Sequence, residues 1–174
     1  MTLTYGVHSE AGTLRRVLVH RPGSEMARLT PANAKSLLFD DVLWVKQARI
    51  DHMAFVDILR ERGVEVVLLR EMLEEVLALP EARKWLLEAR INDNSVGVGL
   101  SADLLACLTE MPAKPLSHIL IGGMSRAELP IPEAGVVVPM LRPEDFLLPP
   151  MPNTIFTRDS SAWIYGGVTL NPMF

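Results

Sequence analysis

The sequence predicts an α/β protein in which a small α-helical bundle is inserted between two strand-containing segments. Three observations predict it. A strand, a long amphipathic helix and a second strand follow one another near the start, as a βαβ unit requires. A leucine-rich block of four amphipathic segments comes next, punctuated by proline, asparagine and glycine. Strand character then returns in a hairpin-like stretch bracketed by prolines and a glycine pair. These transitions set the expected divisions: residues 1–70 as a first α/β module, 71–132 as the inserted bundle, and 133–174 as a second module carrying the hairpin.

In chain order, residues 6–12 form a polar lead-in bounded by Gly6 and Gly12. Leu14 to His20 (LRRVLVH) reads as a strand buried on both faces near its centre, ended by Arg21-Pro22-Gly23. Thr30-Pro31 is a helix start, a hydroxyl cap followed by proline at the first helical position. The short helix it opens runs toward Leu37-Leu38-Phe39. Asp40-Asp41 then serves as the cap of a helix reaching about Arg62. Val45, Ala48, Phe55, Val56 and Leu59 keep helical spacing, and Gly63 closes it. Val64 to Leu69 is the second strand.

The bundle segments are Glu71 to Leu79, Glu81 to Ile91, Ser101 to Glu110 and Leu116 to Ile121. Pro80 with Glu81 is a helix-start pair, Ser101 an expected N-cap, and Ser125 with Glu128 a capping box. Val136-Val137-Val138 resumes strand character. In the closing stretch, PPMP precedes Asn153-Thr154, and Phe156-Thr157-Arg158-Asp159 then leads into Ala162 to Tyr165 and a Gly166-Gly167 turn. The pattern places the FTRD group on the first strand of a hairpin. Period-two alternation there puts Phe156 and Arg158 on one face and Thr157 and Asp159 on the other.

Composition narrows the function classes. With 49% apolar and 22% charged residues the chain can bury a sizeable core and is no candidate for global disorder. A net charge of −4 without a basic block argues against nucleic acid or an anionic membrane as partner. Cys107, the single cysteine, excludes an internal disulfide and suits a reducing compartment. Its leucine-rich neighbours make it a buried structural thiol. The N-terminus lacks the basic start and apolar run of a signal peptide, and no apolar run has membrane-spanning length. A cytoplasmic, soluble protein is expected.

The candidate chemical residues each have a bland reading as well. Asp159 beside Arg158 is most simply an ion pair, Asn153 a turn residue bonding its own backbone, and Phe156 a core residue. Trp163 and Tyr165 suit sheet packing. His8, His20, His52 and His118 share no metal-ligand spacing and are assigned structural roles; no metal is expected. GVGL at residues 97–100 belongs to no phosphate-binding pattern. Against this stands a physical fit. A carboxylate matches the paired N–H groups of a planar guanidinium, an aromatic ring above that plane adds cation–π attraction, and an asparagine amide can hold the polar end of an amino acid.

The motifs GVHSEAGTLRRVLVHRPG, RLTP with LLFDDVLWV, HMAFVDILRERGVEVV and PMPNTIFTRDSSAWIYGGVTLNPM together resemble the N-terminal part of arginine deiminase, a guanidine-modifying family of the pentein superfamily. The resemblance implies a partial pentein fold, an α/β propeller of ββαβ-type modules with an inserted helical bundle. It implies that Asp159 takes the guanidinium through its carboxylate as the catalytic carboxylate of this chain. Phe156 would pack on the guanidinium and its aliphatic stem, Asn153 would hold the α-amino acid end, and Leu38 would give a backbone contact. In the family a cysteine thiolate attacks the guanidinium carbon, a histidine assists departure of ammonia, and water releases citrulline, without metal or organic cofactor.

The family's His-x-Asp segment, a further glutamate, carboxylate-binding arginines and late cysteine are not matched before Phe174, and Cys107 does not match the nucleophile. The expectation is therefore an arginine-binding chain inactive on its own, with open strand edges that favour a homo-oligomer. The rivals are another guanidine-modifying hydrolase or amidinotransferase, and a non-catalytic binding module built on part of a pentein fold.

Overall fold

The computed structural model describes residues 6–97, 99–129 and 138–171. Its first unit is a β–α–β stretch. β1 (Arg16–Val19) pairs in parallel with β2 (Glu65–Leu68), in the register Arg16 to Glu65 through Val19 to Leu68. A short helix, α1 (Ser24–Ala27), and the long α2 (Val45–Glu61) lie between them. Parallel strands need such a crossover. Val56 of α2 is fully buried and packs with Val19 and Leu68, joined by Val17, Met53 and Val66. The expected strands and helix are present, each trimmed at its ends.

The starts differ from expectation. Asp40-Asp41 does not cap α2; its N-cap is Trp44, with no side-chain cap, and Asp41 instead accepts the Val42 N–H at 2.7 Å. Thr30-Pro31 opens a turn rather than a helix. Thr30 and Asn33 exchange backbone-to-side-chain hydrogen bonds (2.8 and 3.3 Å), and a single 3₁₀ turn, Lys35–Leu37, follows. Asn33 outbids helix propagation because its short amide bonds the nearby backbone, here the Thr30 N–H and the Arg28 carbonyl.

The helical block comprises α3 (Leu69–Leu77), α4 (Pro80–Arg90), α5 (Asp93–Val96), α6 (Ser101–Thr109) and α7 (Ala113–Gly122). α3 packs on α7 and α4, and α4 on α6. Leu77, Leu87, Leu104, Leu108 and Leu116 are fully buried at their centre. Pro80 stands at the start of α4 as predicted. α5 was not anticipated, yet Asn92 caps it with a complete capping box to Ser95. Leu100, not Ser101, is the N-cap of α6; the Ser101 hydroxyl is turned to the Asp93 carboxylate. Arg83 closes two helix ends at once, donating to the carbonyls of Leu77, Thr109 and Met111, each at 2.8 Å.

β3 (Met124–Ser125) and β4 (Phe146–Leu148) form a short antiparallel pair with a bulge between Met124 and Ser125. The predicted Ser125–Glu128 capping box is present. Val136-Val137 of the expected strand lie outside the described residues, and Val138 begins a 3₁₀ turn to Met140. β5 (Ser161–Ile164) and β6 (Gly167–Leu170) make the final hairpin. Its two-residue connection is Tyr165-Gly166, with Tyr165 at φ 51°, and Gly167 already belongs to β6. The tip reaches back to the lead-in, where Val7 and Tyr165 exchange both backbone hydrogen bonds (2.9 and 2.8 Å). The structure is thus mixed α/β with three two-stranded sheets among the described residues.

A buried carboxylate joins the first unit to the helical block. Glu25 is fully buried. Its Oε1 accepts from the Gly23 N–H at 2.5 Å and meets His20 Nε2 at 3.1 Å, while Oε2 accepts from Arg70 Nη2 at 3.0 Å. Arg70 Nη1 in turn lies 3.0 Å from Nδ1 of His118 on α7. Gly23 is required at this crowded point, since a Cβ there would stand 2.4 Å from Arg70 Nη2 and 2.7 Å from Glu25 Oε2. Burial raises the Glu25 pKa, but hydrogen bonds from His20 and the backbone, with the charges of His20 and Arg70, outweigh it and hold the carboxyl below its ordinary value. A second clamp joins Arg28 to both oxygens of Glu128 (2.6 and 2.8 Å), with the Arg28 guanidinium 5.6 Å from the centre of the Phe146 ring.

Removing one partner of a buried ion pair leaves the other uncompensated, so Glu25→Ala is expected to lower unfolding stability by about 3–5 kcal/mol in urea titrations. The folded pKa lies below the unfolded one, so the charged carboxylate contributes fully above pH 4.5 and loses its contribution as pH falls through the folded value. The stability gap between wild type and Glu25→Gln therefore narrows below that pH.

Candidate guanidinium site

The segment after β4 is fixed by contacts on its backbone. The Met151 N–H donates to the Ile121 carbonyl of α7 at 2.9 Å, and Arg90 of α4 donates to the Pro149 carbonyl at 2.7 Å. Gly123, at φ 79°, passes so close that a Cβ would stand 2.5 Å from the Leu148 carbonyl oxygen and 2.7 Å from Pro150 N. Pro152 then starts a 3₁₀ turn, Pro152–Ile155, in keeping with its fixed φ.

FTRD does not lie on the first strand of the hairpin. Phe156 to Asp159 is a turn ahead of β5, closed by the Asp159 N–H to the Phe156 carbonyl at 3.1 Å. Period-two alternation consequently does not apply, and a tight turn brings the ring and the carboxylate close along the chain instead. Thr157 ties the turn to β1 through a 2.9 Å hydrogen bond from its hydroxyl to the Leu18 carbonyl. Asn171 donates to the Asp159 carbonyl at 3.1 Å, bracing the turn against the end of the hairpin.

Arg158 does not pair with Asp159; it meets Glu10 at 3.0 Å, both side chains well exposed, a contact worth under about 1 kcal/mol. The Asp159 carboxylate is exposed and makes no ion pair or hydrogen bond among the described residues. Phe156 is no core residue, being 47% exposed. Asn153 does not bond its own backbone through its amide; Nδ2 donates to the Leu37 carbonyl at 3.1 Å. Its Oδ1 accepts no hydrogen bond among the described residues.

The facing segment is Lys35–Phe39. The Leu38 N–H bonds the Lys35 carbonyl (3.2 Å) and the Phe39 N–H bonds the Ala34 carbonyl (2.9 Å), a Schellman closure. It places Leu38 at φ 64° and ψ 35°, the left-handed position that glycine usually takes. A leucine held there carries strain, of the kind that gathers at binding sites. Leu38 is exposed, and the closure turns Phe39 toward Phe156, whose ring it meets at 6.0 Å between centroids and 24° between planes. Phe39 was not foreseen. Its only signal was an aromatic inside LLFDD, next to a residue whose conformation no sequence pattern announces.

Residues 35–39 and 152–159 therefore meet in one place, bringing Leu38, Asn153, Phe156 and Asp159 onto two contacting loops. Cys107 lies elsewhere, half-buried on α6. Among the described residues no group of three or more His, Cys, Asp or Glu side chains is placed to hold a metal ion. No described helix is long and apolar enough to cross a membrane.

The two loops thus present a free carboxylate, stacked rings and an amide within one short arc. The family model for arginine deiminase matches residues 35–174, which include both loops. This chain belongs to the arginine deiminase family. The opening motif around Leu14 to Gly23 precedes the matched span.

A stacked ring pair of this kind is worth about 0.5–1.5 kcal/mol beyond its buried area. A double-mutant cycle on Phe39→Ala and Phe156→Ala, read by urea unfolding, is expected to return a coupling of that size. Strict additivity would show the rings to be energetically independent.

Proposed function

We propose that the paired loops are the arginine-recognising wall of an arginine deiminase, the enzyme class that converts L-arginine and water to L-citrulline and ammonia. The observation that carries the proposal is the free, exposed carboxylate of Asp159 three residues from the exposed ring of Phe156. Asp159 would accept two parallel N–H bonds from the guanidinium, whose delocalised plane suits a carboxylate edge. Phe156, held by Phe39, would lie against the guanidinium and its methylene stem. Asn153 Oδ1 is available to an α-ammonium group, since Nδ2 is engaged by Leu37. Leu38 would offer its backbone beside it.

In this reading the Asp159 carboxylate orients the guanidinium so that a cysteine thiolate attacks its central carbon. The C–N bond breaks, ammonia leaves with a proton from a histidine, and water cleaves the amidino–thioether to give citrulline. A second carboxylate would share the guanidinium. Cys107 on α6 is not assigned the nucleophile, so the chain on its own is expected to bind rather than turn over. A dimethylargininase- or amidinotransferase-like enzyme would use a similar wall, but the deiminase family match favours the first reading. The placement of Cys107 favours the one further alternative, a non-catalytic arginine-binding module.

The architecture proposed with it is a partial pentein: residues 1–70 and 133–174 as propeller modules, and 71–132 as the inserted helical bundle. The two-stranded sheets leave unpaired edges among the described residues, and self-association is the proposed cover. Sedimentation at rising concentration is expected to show a dimer or larger; a monomer throughout would overturn this.

Charge-assisted hydrogen bonds contribute about 1.5–3 kcal/mol. Asp159→Asn is therefore expected to weaken L-arginine binding by about tenfold or more in equilibrium dialysis, while a colorimetric assay detects no citrulline from the chain alone. Equal affinity in wild type and variant would remove Asp159 from the site. Citrulline formation that vanishes in Asp159→Ala would overturn the expectation of inactivity.

A further inference from the structure

A second concave site, lined by none of the residues assigned to arginine, lies beside the segment that follows β1. It is an open crevice of about 480 Å³ lined by Arg21, Arg49, Ile50, Met53, Ala54 and Asp57. Arg21 leaves the end of β1 after His20, and Arg49, Ile50, Met53 and Ala54 lie on α2, the helix that crosses from β1 to β2. The crevice therefore forms between the segment following β1 and the middle of α2.

The charges of this crevice are uncompensated. In a chain with 21 acidic residues, neither Arg21 nor Arg49 forms an ion pair or side-chain hydrogen bond among the described residues. The acid that shares their crevice, Asp57, pairs instead with Arg60 at 3.6 Å. His52, adjacent to Met53 on α2, keeps its Nδ1 sealed from solvent and without a hydrogen-bond partner among the described residues. Burial lowers its pKa, and the nearby charges of His20 and Arg21 lower it further, as expected inside a local positive field. The remaining lining, Ile50, Met53 and Ala54, is apolar, with Ile50 and Ala54 exposed on the outer face of α2.

We propose that this crevice binds a small oxyanion, a carboxylate or a phosphate, attached to a short apolar body. The two guanidinium forks take the oxyanion bidentately, and the apolar body lies over Ile50, Met53 and Ala54. Asp57 opposes the anion and sets a limit on affinity. The site is separate from the guanidinium wall: one binds an anion through arginines, the other a cation through a carboxylate.

The test titrates the whole chain with sodium butyrate, phenyl phosphate and inorganic phosphate at constant ionic strength, with chloride as the reference anion. Binding is read by calorimetry and by backbone amide shifts in NMR. Saturable binding of butyrate or phenyl phosphate, weaker for inorganic phosphate and absent for chloride, with shifts centred on residues 20–22 and 49–57, is the expected result. Whichever of the first two binds tighter identifies the oxyanion. Arg21→Gln and Arg49→Gln should each weaken binding by about tenfold, the loss of one charged hydrogen-bonding partner. Asp57→Asn should tighten it, an outcome that no loss of folding can imitate. Asp159→Asn should leave it unchanged, so this site stands or falls apart from the arginine site. Failure of every anion to saturate, wild-type affinity in either arginine variant, or no tightening in Asp57→Asn would overturn the proposal.

Discussion

The interaction on which the rest of the molecule depends is the burial of Glu25. A carboxylate taken out of water is costly unless its oxygens are fully engaged. Here one oxygen is held by the Gly23 N–H and His20, the other by Arg70. Those partners come from the end of β1, from the turn after it and from α3, and Arg70 passes the connection on to α7. The first α/β unit and the helical block are thus joined by charge in a spot where apolar packing would tolerate sliding. Gly23 is part of the same constraint, because any side chain there would push the partners apart.

With the two parts registered, the candidate loop can be held from both. Met151 is fastened to α7 and Pro149 to Arg90, while Thr157 reaches the middle of β1. Between these anchors the chain has little choice of path, and Asn153, Phe156 and Asp159 project from a short braced arc. The opposite loop contributes strain of its own at Leu38, kept in place by the Schellman closure and by the Phe39–Phe156 stack. Such bracing costs stability locally and returns geometric precision, which a binding site needs.

The parts of this arrangement that obey a period were legible in the sequence. Val56 of α2, Val19 and Leu68 of the strands, and the bundle leucines announce themselves by spacing and length. The Ser125–Glu128 box was legible because both partners lie within one turn. What escaped was set by contacts distant in the chain. The FTRD group reads as strand from its own composition, but Thr157's bond to Leu18 and the closing of Phe156 on Asp159 bend it into a turn. Arg158 seems destined for its neighbour until Glu10 is seen beside it. Glu25 looks like a surface acid in SEMA, since nothing local reveals that His20 and Arg70 will enclose it. The pair of loops was readable through its motif; its geometry was not.

The bridge between Val7 and Tyr165 has a consequence for how the molecule comes into being. The only strand partner of the lead-in among the described residues is the tip of the β5–β6 hairpin, far along the chain. Glu10 and Leu18 likewise wait for Arg158 and Thr157. Helices close on near neighbours, whereas contacts of such long separation bear the entropy of closing a large loop. The arc that carries Asp159 is accordingly held by contacts that are slow to close, and until they do the strand edges at Val7 and Tyr165 stay unpaired.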